Sequence, residues 1–132
     1  MKKRLPLIVA VLLLTTIVIG MALAEEITNQ VTPRYSYTSS VTAGLSFSGS
    51  TANCSGSVSP SGYDDVSVTV TLYRQNGSSW DFVTSWSDSA EDGATAAAGG
   101  SINITSGTYK VTTRGNVGND KEYPTKSVTR TK

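Results

Sequence analysis

The stretch Asp65-Val-Ser-Val-Thr-Val-Thr-Leu-Tyr73 alternates apolar and polar side chains with a period of two. Its three valines and Leu72 fall on one side of an extended chain, and the serine and two threonines fall on the other side. This alternation predicts a β-strand with one face buried and the other in water. The β-branched residues favour the same conformation.

The same period continues on both sides of this strand. Residues 41–47 and 52–58 alternate with opposite parity, Asn76-Gly77 predicts a hairpin turn, and residues 80–86 place aromatic rings at every even position except Thr84. Residues 94–104 alternate only weakly, and their double glycine predicts a bulge or bend. No stretch after the first 24 residues has helical spacing of apolar residues. The sequence therefore predicts an all-β fold, a small immunoglobulin-like antiparallel β-sandwich of about seven strands.

The large side chains of the alternating segments are the predicted core. The rings of residues 80–86 share the parity of Val70 and Leu72 across the predicted hairpin, so we expect them in the interior. The predicted core comprises Leu45, Phe47, Cys54, Val66, Val68, Val70, Leu72, Trp80, Phe82, Trp86, Tyr109 and Val111. An alternative function for Trp80 and Trp86 is a surface platform on which sugar rings stack.

The N-terminus has the three parts of a secretory signal peptide. Met1-Lys-Lys-Arg4 is basic, Leu5–Gly20 is apolar, and Ala22-Leu-Ala24 supplies small residues before a cleavage site. We expect residues 1–24 to be a helical signal peptide and residues 25–34 a disordered lead-in. Residues 35–132 then form the β-sandwich domain, and the mature protein is exported, with membrane contact only through the signal before cleavage. An uncleaved anchor is the alternative, because the apolar run is about as long as a membrane helix.

Composition argues against most kinds of catalytic and ligand site. The 132 residues include no histidine, so a Ser-His-Asp or Cys-His arrangement cannot form. The formal charge of +1 becomes −2 after cleavage, with eight basic residues against ten acidic ones, and the basic residues are scattered singly. Nucleic acid binding is therefore not expected. The single cysteine, Cys54, excludes an intrachain disulfide.

The acidic residues predict neither catalysis nor a metal site. They fall in predicted turns and loops, where water keeps a carboxyl group unsuited to glycoside hydrolysis. The loop starting at Asp88 has a glycine at its sixth position, as in a calcium loop, but has Ala90 at the third position and Gly99 at the twelfth. We expect no enzymatic activity, no catalytic residue, no metal and no cofactor.

Two sets of residues carry a family resemblance. Gly107-Thr-Tyr-Lys-Val111 resembles the start of a late strand in immunoglobulin-like domains of bacterial surface proteins. The wider set is similar to small secreted β-sandwich proteins of Gram-positive bacteria, and it comprises Ala52, Cys54, Gly56, Leu72, Trp80, Val83, Ser85, Trp86, Gly107 and Tyr109. The resemblance implies fold and location but no biochemical activity.

The function that follows from the sequence is a secreted, non-catalytic binding or structural module. Its ligand is unknown, and a component of the cell surface or cell wall is the partner class that export suggests. A bacteriocin-like secreted antagonist is one alternative. A lectin-like carbohydrate-binding module, using Trp80 and Trp86, is another.

Signal cleavage gives the first testable prediction. Mass spectrometry of the exported protein should find Glu25 at its N-terminus, because the peptidase requires the small residues Ala22 and Ala24 before the cut. An exported protein that retains Met1 would show that the apolar run is an anchor.

Overall fold

A computed structural model describes residues 35–132. They form seven strands, β1 (Thr38–Ser48), β2 (Thr51–Pro60), β3 (Val66–Asn76), β4 (Ser79–Ala90), β5 (Ala96–Asn103), β6 (Thr108–Val117) and β7 (Thr125–Thr131). One antiparallel sheet has the order β1-β2-β5 and the other has the order β4-β3-β6-β7. The predicted all-β sandwich is confirmed, and the described residues contain no helix. The predicted signal helix and lead-in lie outside the described residues.

Strand β3 lies at the centre of the four-stranded sheet. It pairs with β4 on one side and with β6 on the other. Val66, Val68, Val70 and Leu72 are 0–2% exposed, and they pack with buried residues of β2 and β6 such as Val58 and Val111. Full burial of each such side chain contributes about 1.5–3 kcal/mol. The alternation that predicted this strand thus supplies the middle of the core.

The turn between β3 and β4 lies one residue later than the predicted Asn76-Gly77. Asn76 pairs with Ser79, so the two-residue loop is Gly77-Ser78. Gly77 has a φ of 62°, which the first central residue of a type II′ turn requires and which glycine adopts without strain. The tight turn fixes the register at this end of the β3–β4 hairpin.

Tyr109 ties the start of β6 to the loop before it. Its ring is 2% exposed, and its hydroxyl donates a 2.9 Å hydrogen bond to the Thr105 carbonyl, four residues upstream. The Phe47 ring packs edge-on against it with centroids 6.1 Å apart, and the Arg74 guanidinium lies 5.9 Å from its centroid. A tyrosine at this place that bonds back to the upstream backbone is typical of immunoglobulin-like sandwiches.

Most of the predicted core residues are in the interior. Phe47 and Trp86 are half-buried and pack against it. The fully buried members are Leu45, Cys54, Val66, Val68, Val70, Leu72, Tyr109 and Val111.

The core prediction is wrong for Trp80 and Phe82. Leu72 pairs with Thr84, but the next residue of β3, Tyr73, pairs with Phe82, so Val83 is an extra residue in β4. This β-bulge reverses the parity of β4 between Trp86 and Phe82. Phe82 and Trp80 therefore share the outer face of the sheet with Tyr73, and Phe82 is 64% exposed.

The Tyr109 contact yields a stability prediction. Tyr109→Phe removes the hydrogen bond to Thr105 and should lower the free energy of unfolding by about 1–2 kcal/mol, as measured by chemical denaturation. Tyr63→Phe is the matched control, because Tyr63 is 90% exposed and its hydroxyl has no partner among residues 35–132. Equal stability of the two variants would contradict a stabilising role for the hydrogen bond between Tyr109 and Thr105.

Candidate functional site

The outer face of the four-stranded sheet carries a group of aromatic rings with one cation. We call Tyr73, Trp80, Phe82 and Lys110 the aromatic patch. Tyr73 pairs directly with Phe82 on one neighbouring strand and with Lys110 on the other, so their side chains are adjacent. Trp80 lies two residues from Phe82 on the same face of β4. The sheet thereby places three rings side by side at one end of an open surface.

Rows of residues cross this outer face perpendicular to the strands. The first row contains Phe82, Tyr73, Lys110 and Thr129. The second row consists only of hydroxyl side chains, Ser85, Thr71, Thr112 and Ser127. The third row contains Ser87, Thr69, Arg114 and Thr125. The face therefore passes from aromatic rings to hydroxyl groups over about 7 Å, the length of two strand residues.

Neighbouring hydroxyl groups bond to each other within these rows. Thr112 and Ser127 are 2.9 Å apart at their hydroxyl oxygens, and Thr69 and Ser87 are 3.2 Å apart. Each hydroxyl oxygen retains further acceptor capacity. The face can therefore exchange hydrogen bonds with a polar ligand along its length.

Lys110 holds two rings of the patch together. Its ammonium nitrogen lies 4.4 Å from the centroid of the Trp80 ring and 5.4 Å from that of Tyr73. Cation–π contacts of this kind stabilise the pair by about 0.5–1 kcal/mol at exposed sites. Lys110 covers part of Trp80, whereas the Phe82 ring is mostly open to solvent.

Trp80 and Trp86, the two residues predicted as a stacking platform, do not share a surface. Trp86 points inward from β4 opposite Val70 and lines an open groove of about 530 Å³ between β4 and β5. Asp88 and Gly99 also line this groove. A Cβ atom at Gly100 would collide with the Trp86 indole, so the small residues of β5 make room for it. This packing explains why the β5 sequence alternates so weakly.

Three exposed tyrosines lie at the end of the sandwich where the loops β2–β3 and β6–β7 meet. Tyr37, Tyr63 and Tyr123 are 43%, 90% and 45% exposed. The Lys121 ammonium bonds to Asp64 at 2.8 Å and lies 5.2 Å from the Tyr37 centroid. We call this surface the tyrosine end. It carries charges of both signs, unlike the outer face of the sheet.

Hydrogen bonds at the tyrosine end shift two pKa values in opposite directions. The Tyr123 hydroxyl bonds to Asp120, which lowers the pKa of that carboxyl group and raises the pKa of Tyr123. Asn116 also donates to Asp120 at 2.8 Å. These bonds stabilise the β6–β7 loop.

Glu122 anchors the first residues of the described chain. Its carboxylate accepts hydrogen bonds from the Ser36 and Tyr37 amides at 2.7 and 3.0 Å, and from the Thr38 hydroxyl at 2.7 Å. Desolvation is the largest influence on this group and raises its pKa, but the hydrogen bonds together outweigh it. The net pKa of Glu122 is lowered from its usual 4.5.

The possible metal ligands of the described residues are dispersed, and their one thiol is buried. Between Tyr35 and Lys132 no three Cys, Asp or Glu side chains converge to hold a metal ion. Cys54 is a free, buried thiol, and burial raises its pKa, which leaves it a poor nucleophile. Nor does this part of the chain hold a helix long and apolar enough to span a membrane.

The aromatic patch is absent from the sequence-based predictions, because the parity of residues 80–86 gives no sign of the bulge. Two features of the sequence indicate this face. Tyr73 continues the outward parity of the serine and threonines of β3. Lys110 lies next to buried Tyr109 and so has the outward parity in β6. That Tyr73 and Lys110 are direct neighbours follows only from the register between β3 and β6.

Comparisons with known proteins give likeness in fold alone. No family model matches this chain, and no curated protein is similar to it. Among solved structures, wild-type OgpA from Akkermansia muciniphila is 15% identical, with a TM-score of 0.48 over 76% of this chain and 30% of that chain. A catalytically inactive OgpA in complex with an O-glycopeptide substrate is 16% identical, with a TM-score of 0.47. The match covers 76% of this chain and 30% of that chain. This chain thus spans less than a third of the length of OgpA.

The E. coli curli protein CsgC is also similar in fold. It is 14% identical, with a TM-score of 0.43 over 66% of this chain and 94% of that chain. These neighbours are β-rich, and the likeness extends no further than that.

The Glu122 bonds yield a prediction on pH dependence. Because its pKa is lower in the folded state, Glu122 stabilises the fold above its usual pKa, and this stabilisation is lost as the pH falls through the lowered folded value. Denaturation curves from pH 7 to pH 2 should show that Glu122→Gln loses less stability on acidification than the wild type. Glu91→Gln is the control, since the Glu91 side chain has no hydrogen bond within residues 35–132. Parallel curves for the wild type and Glu122→Gln would contradict the anchoring role.

Proposed function

We propose that this protein is an exported, non-catalytic module that binds carbohydrate polymers through the outer face of its four-stranded sheet. One observation carries the proposal: the bulge at Val83 turns Phe82 and Trp80 outward beside Tyr73. A soluble domain with few large apolar residues gains stability by burying such rings, so rings left on the surface favour a role in recognition.

The chemistry of the outer face suits sugars. Aromatic faces contact the apolar C–H surfaces of pyranose rings, and hydroxyl side chains exchange hydrogen bonds with the sugar hydroxyl groups. The first row, which contains Phe82 and Tyr73, is adjacent and parallel to the second row, which consists of hydroxyl side chains. An extended chain of sugars that lies along the strands crosses both rows and meets both kinds of group.

The shape of the face favours a polymer over a small molecule. The patch lies on an open sheet surface, whereas small-molecule sites are concave pockets that bury most of the ligand. An open surface gains affinity from repeated contacts with successive sugar units. Rigid strands also hold the rings in place before binding, which lowers the entropy cost of association.

Two features support a non-catalytic role. Asp64 and Glu122 are the half-buried carboxylates of the described chain, and both are engaged in structural bonds, to Lys121 and to the N-terminal strand. The other acidic side chains between Tyr35 and Lys132 are exposed. Hydrolysis of a glycoside needs a carboxyl group that is free to exchange a proton with the substrate, whereas both half-buried carboxylates are already bonded within the protein.

An extracellular location is part of the proposal. It rests on the signal-like segment Met1–Ala24, and on outward positions that are mainly serine and threonine. Polysaccharides are abundant outside cells, so the proposed location and ligand class agree.

Affinity electrophoresis of the mature protein through gels that contain soluble polysaccharides tests the function. At least one polymer in a panel of neutral and acidic glucans, xylans, mannans and galacturonans should retard it. Trp80→Ala and Phe82→Ala should each weaken that retardation by about tenfold, since truncation of a central aromatic anchor costs about 1–2 kcal/mol.

Tyr63→Ala is the matched control, an exposed aromatic residue at the tyrosine end. It should leave retardation unchanged. Phe82→Ala and Tyr63→Ala should keep the wild-type denaturation midpoint, because both rings are mostly exposed. Trp80→Ala should lower the free energy of unfolding by about 1 kcal/mol, because it loses the contact with Lys110. Retardation that depends on Tyr63 and not on Phe82 would place recognition at the tyrosine end. A mature protein that no polymer retards would overturn the proposal.

A further inference from the structure

The charged side chains on the outer face of the four-stranded sheet are all positive. Its outward positions on the described strands β3, β4, β6 and β7 include Lys110 and Arg114 and no Asp or Glu. The acidic residues of β4, Asp81 and Asp88, have the opposite parity and do not face outward. Asp88 also lines the groove beside Trp86. Since the mature chain has a net charge of −2, this positive face is a local feature and not a general property of the protein.

Neither cation of the face is neutralised by a carboxylate. The ion pair of the described chain is Lys121–Asp64, at the tyrosine end, and neither Lys110 nor Arg114 forms one with residues 35–132. Aromatic rings hold both cations instead. Lys110 contacts Trp80 and Tyr73, and the Arg114 guanidinium lies 5.2 Å from the Tyr123 centroid.

These contacts leave both cations available to an anion. An aromatic ring offers no acceptor strong enough to satisfy the ammonium or guanidinium hydrogen atoms, whereas a carboxylate accepts two parallel bonds from arginine. Rings that restrict each side chain also reduce the entropy lost when an anion binds. Lys110 lies within the aromatic patch, and Arg114 lies on the same face, two rows further along β6.

The two cations are separated by one row of hydroxyl groups. Lys110 and Arg114 are four residues apart on β6, which corresponds to about 13 Å in an extended strand. The hydroxyl row that includes Thr71 and Thr112 lies between them. A ligand that meets both cations therefore carries spaced charges and many hydroxyl groups.

We propose that the ligand of this face is an acidic polysaccharide, with carboxylate groups that bind Lys110 and Arg114 while its pyranose rings stack on the aromatic patch. The inference rests on the proposed carbohydrate-binding function and specifies its ligand class. Single-stranded nucleic acid fits less well, because it carries a phosphate at every nucleotide and is bound in continuously positive grooves.

Matched pairs of polymers separate charge from sugar recognition. The probes are polygalacturonate with its methyl ester, alginate with its propylene glycol ester, and carboxymethylcellulose with hydroxyethylcellulose. Isothermal titration calorimetry with the mature protein at low and physiological salt should show that at least one acidic member binds about tenfold more tightly than its neutral partner. The difference should shrink as salt rises, because both cations are near the surface.

Single-charge variants test the two residues. Lys110→Met keeps an apolar stem over Trp80 but removes the charge, and Arg114→Gln removes the other cation. Each should weaken binding of the acidic member by about fivefold, the size expected for a loss of one exposed ion pair, and should weaken binding of its neutral partner clearly less. Lys110→Arg should restore most of the loss.

Lys126→Gln is the matched control, since it removes one charge from β7 at a position outside the aromatic and hydroxyl rows. Equal loss in Lys126→Gln and Lys110→Met would show non-specific attraction and overturn this inference. Equal binding of acidic and neutral members would overturn it too, but would leave the carbohydrate-binding function standing. Binding of no polymer would overturn both, and tighter binding of a twenty-nucleotide oligothymidine than of any acidic polymer would reassign the face to nucleic acid.

Discussion

Burial of one side of β3 is the constraint on which the rest of the structure depends. Val66, Val68, Val70 and Leu72 form a fully buried ridge, and β3 pairs with a neighbour on each edge. A shift of one residue in its register would expose the whole ridge and bury threonines, so the register is strongly fixed. With the inner face fixed, the alternate side chains of β3, from Ser67 to Tyr73, must face outward.

The bulge in β4 is the second constraint, because it reverses which face the side chains of β4 occupy. On one side of Val83, Trp86 continues the inner face and packs over the small residues of β5. On the other side, Phe82 and Trp80 join Tyr73 on the outer face. One inserted residue therefore decides that one indole helps to close the core while the other lies at the surface.

The tyrosine end and the outer face of the four-stranded sheet carry different chemistry. The tyrosine end mixes carboxylates with Lys121, and its hydrogen bonds hold loops and the N-terminal strand in place. The outer face carries rings, hydroxyl groups and two cations without carboxylates. A negatively charged polymer would be steered toward that face, because a local positive field orients an encounter. The proposed ligand class and the proposed surface thus rest on the same distribution of side chains.

The fold class and most of the core follow from the pattern of side chains along the chain. The period of two from Val66 to Leu72 and the glycine-rich turns were sufficient for an antiparallel sandwich, since side-chain parity follows directly from strand geometry. The direction of the Trp80 and Phe82 rings depends instead on how the strands pair. Their parity depends on an extra residue whose position is set by pairing between β3 and β4, and nothing in the local sequence marks Val83 as that residue. The same holds for the assembly of Lys110 with Tyr73 and Trp80, because residues from three strands meet only when the register of the whole sheet is fixed.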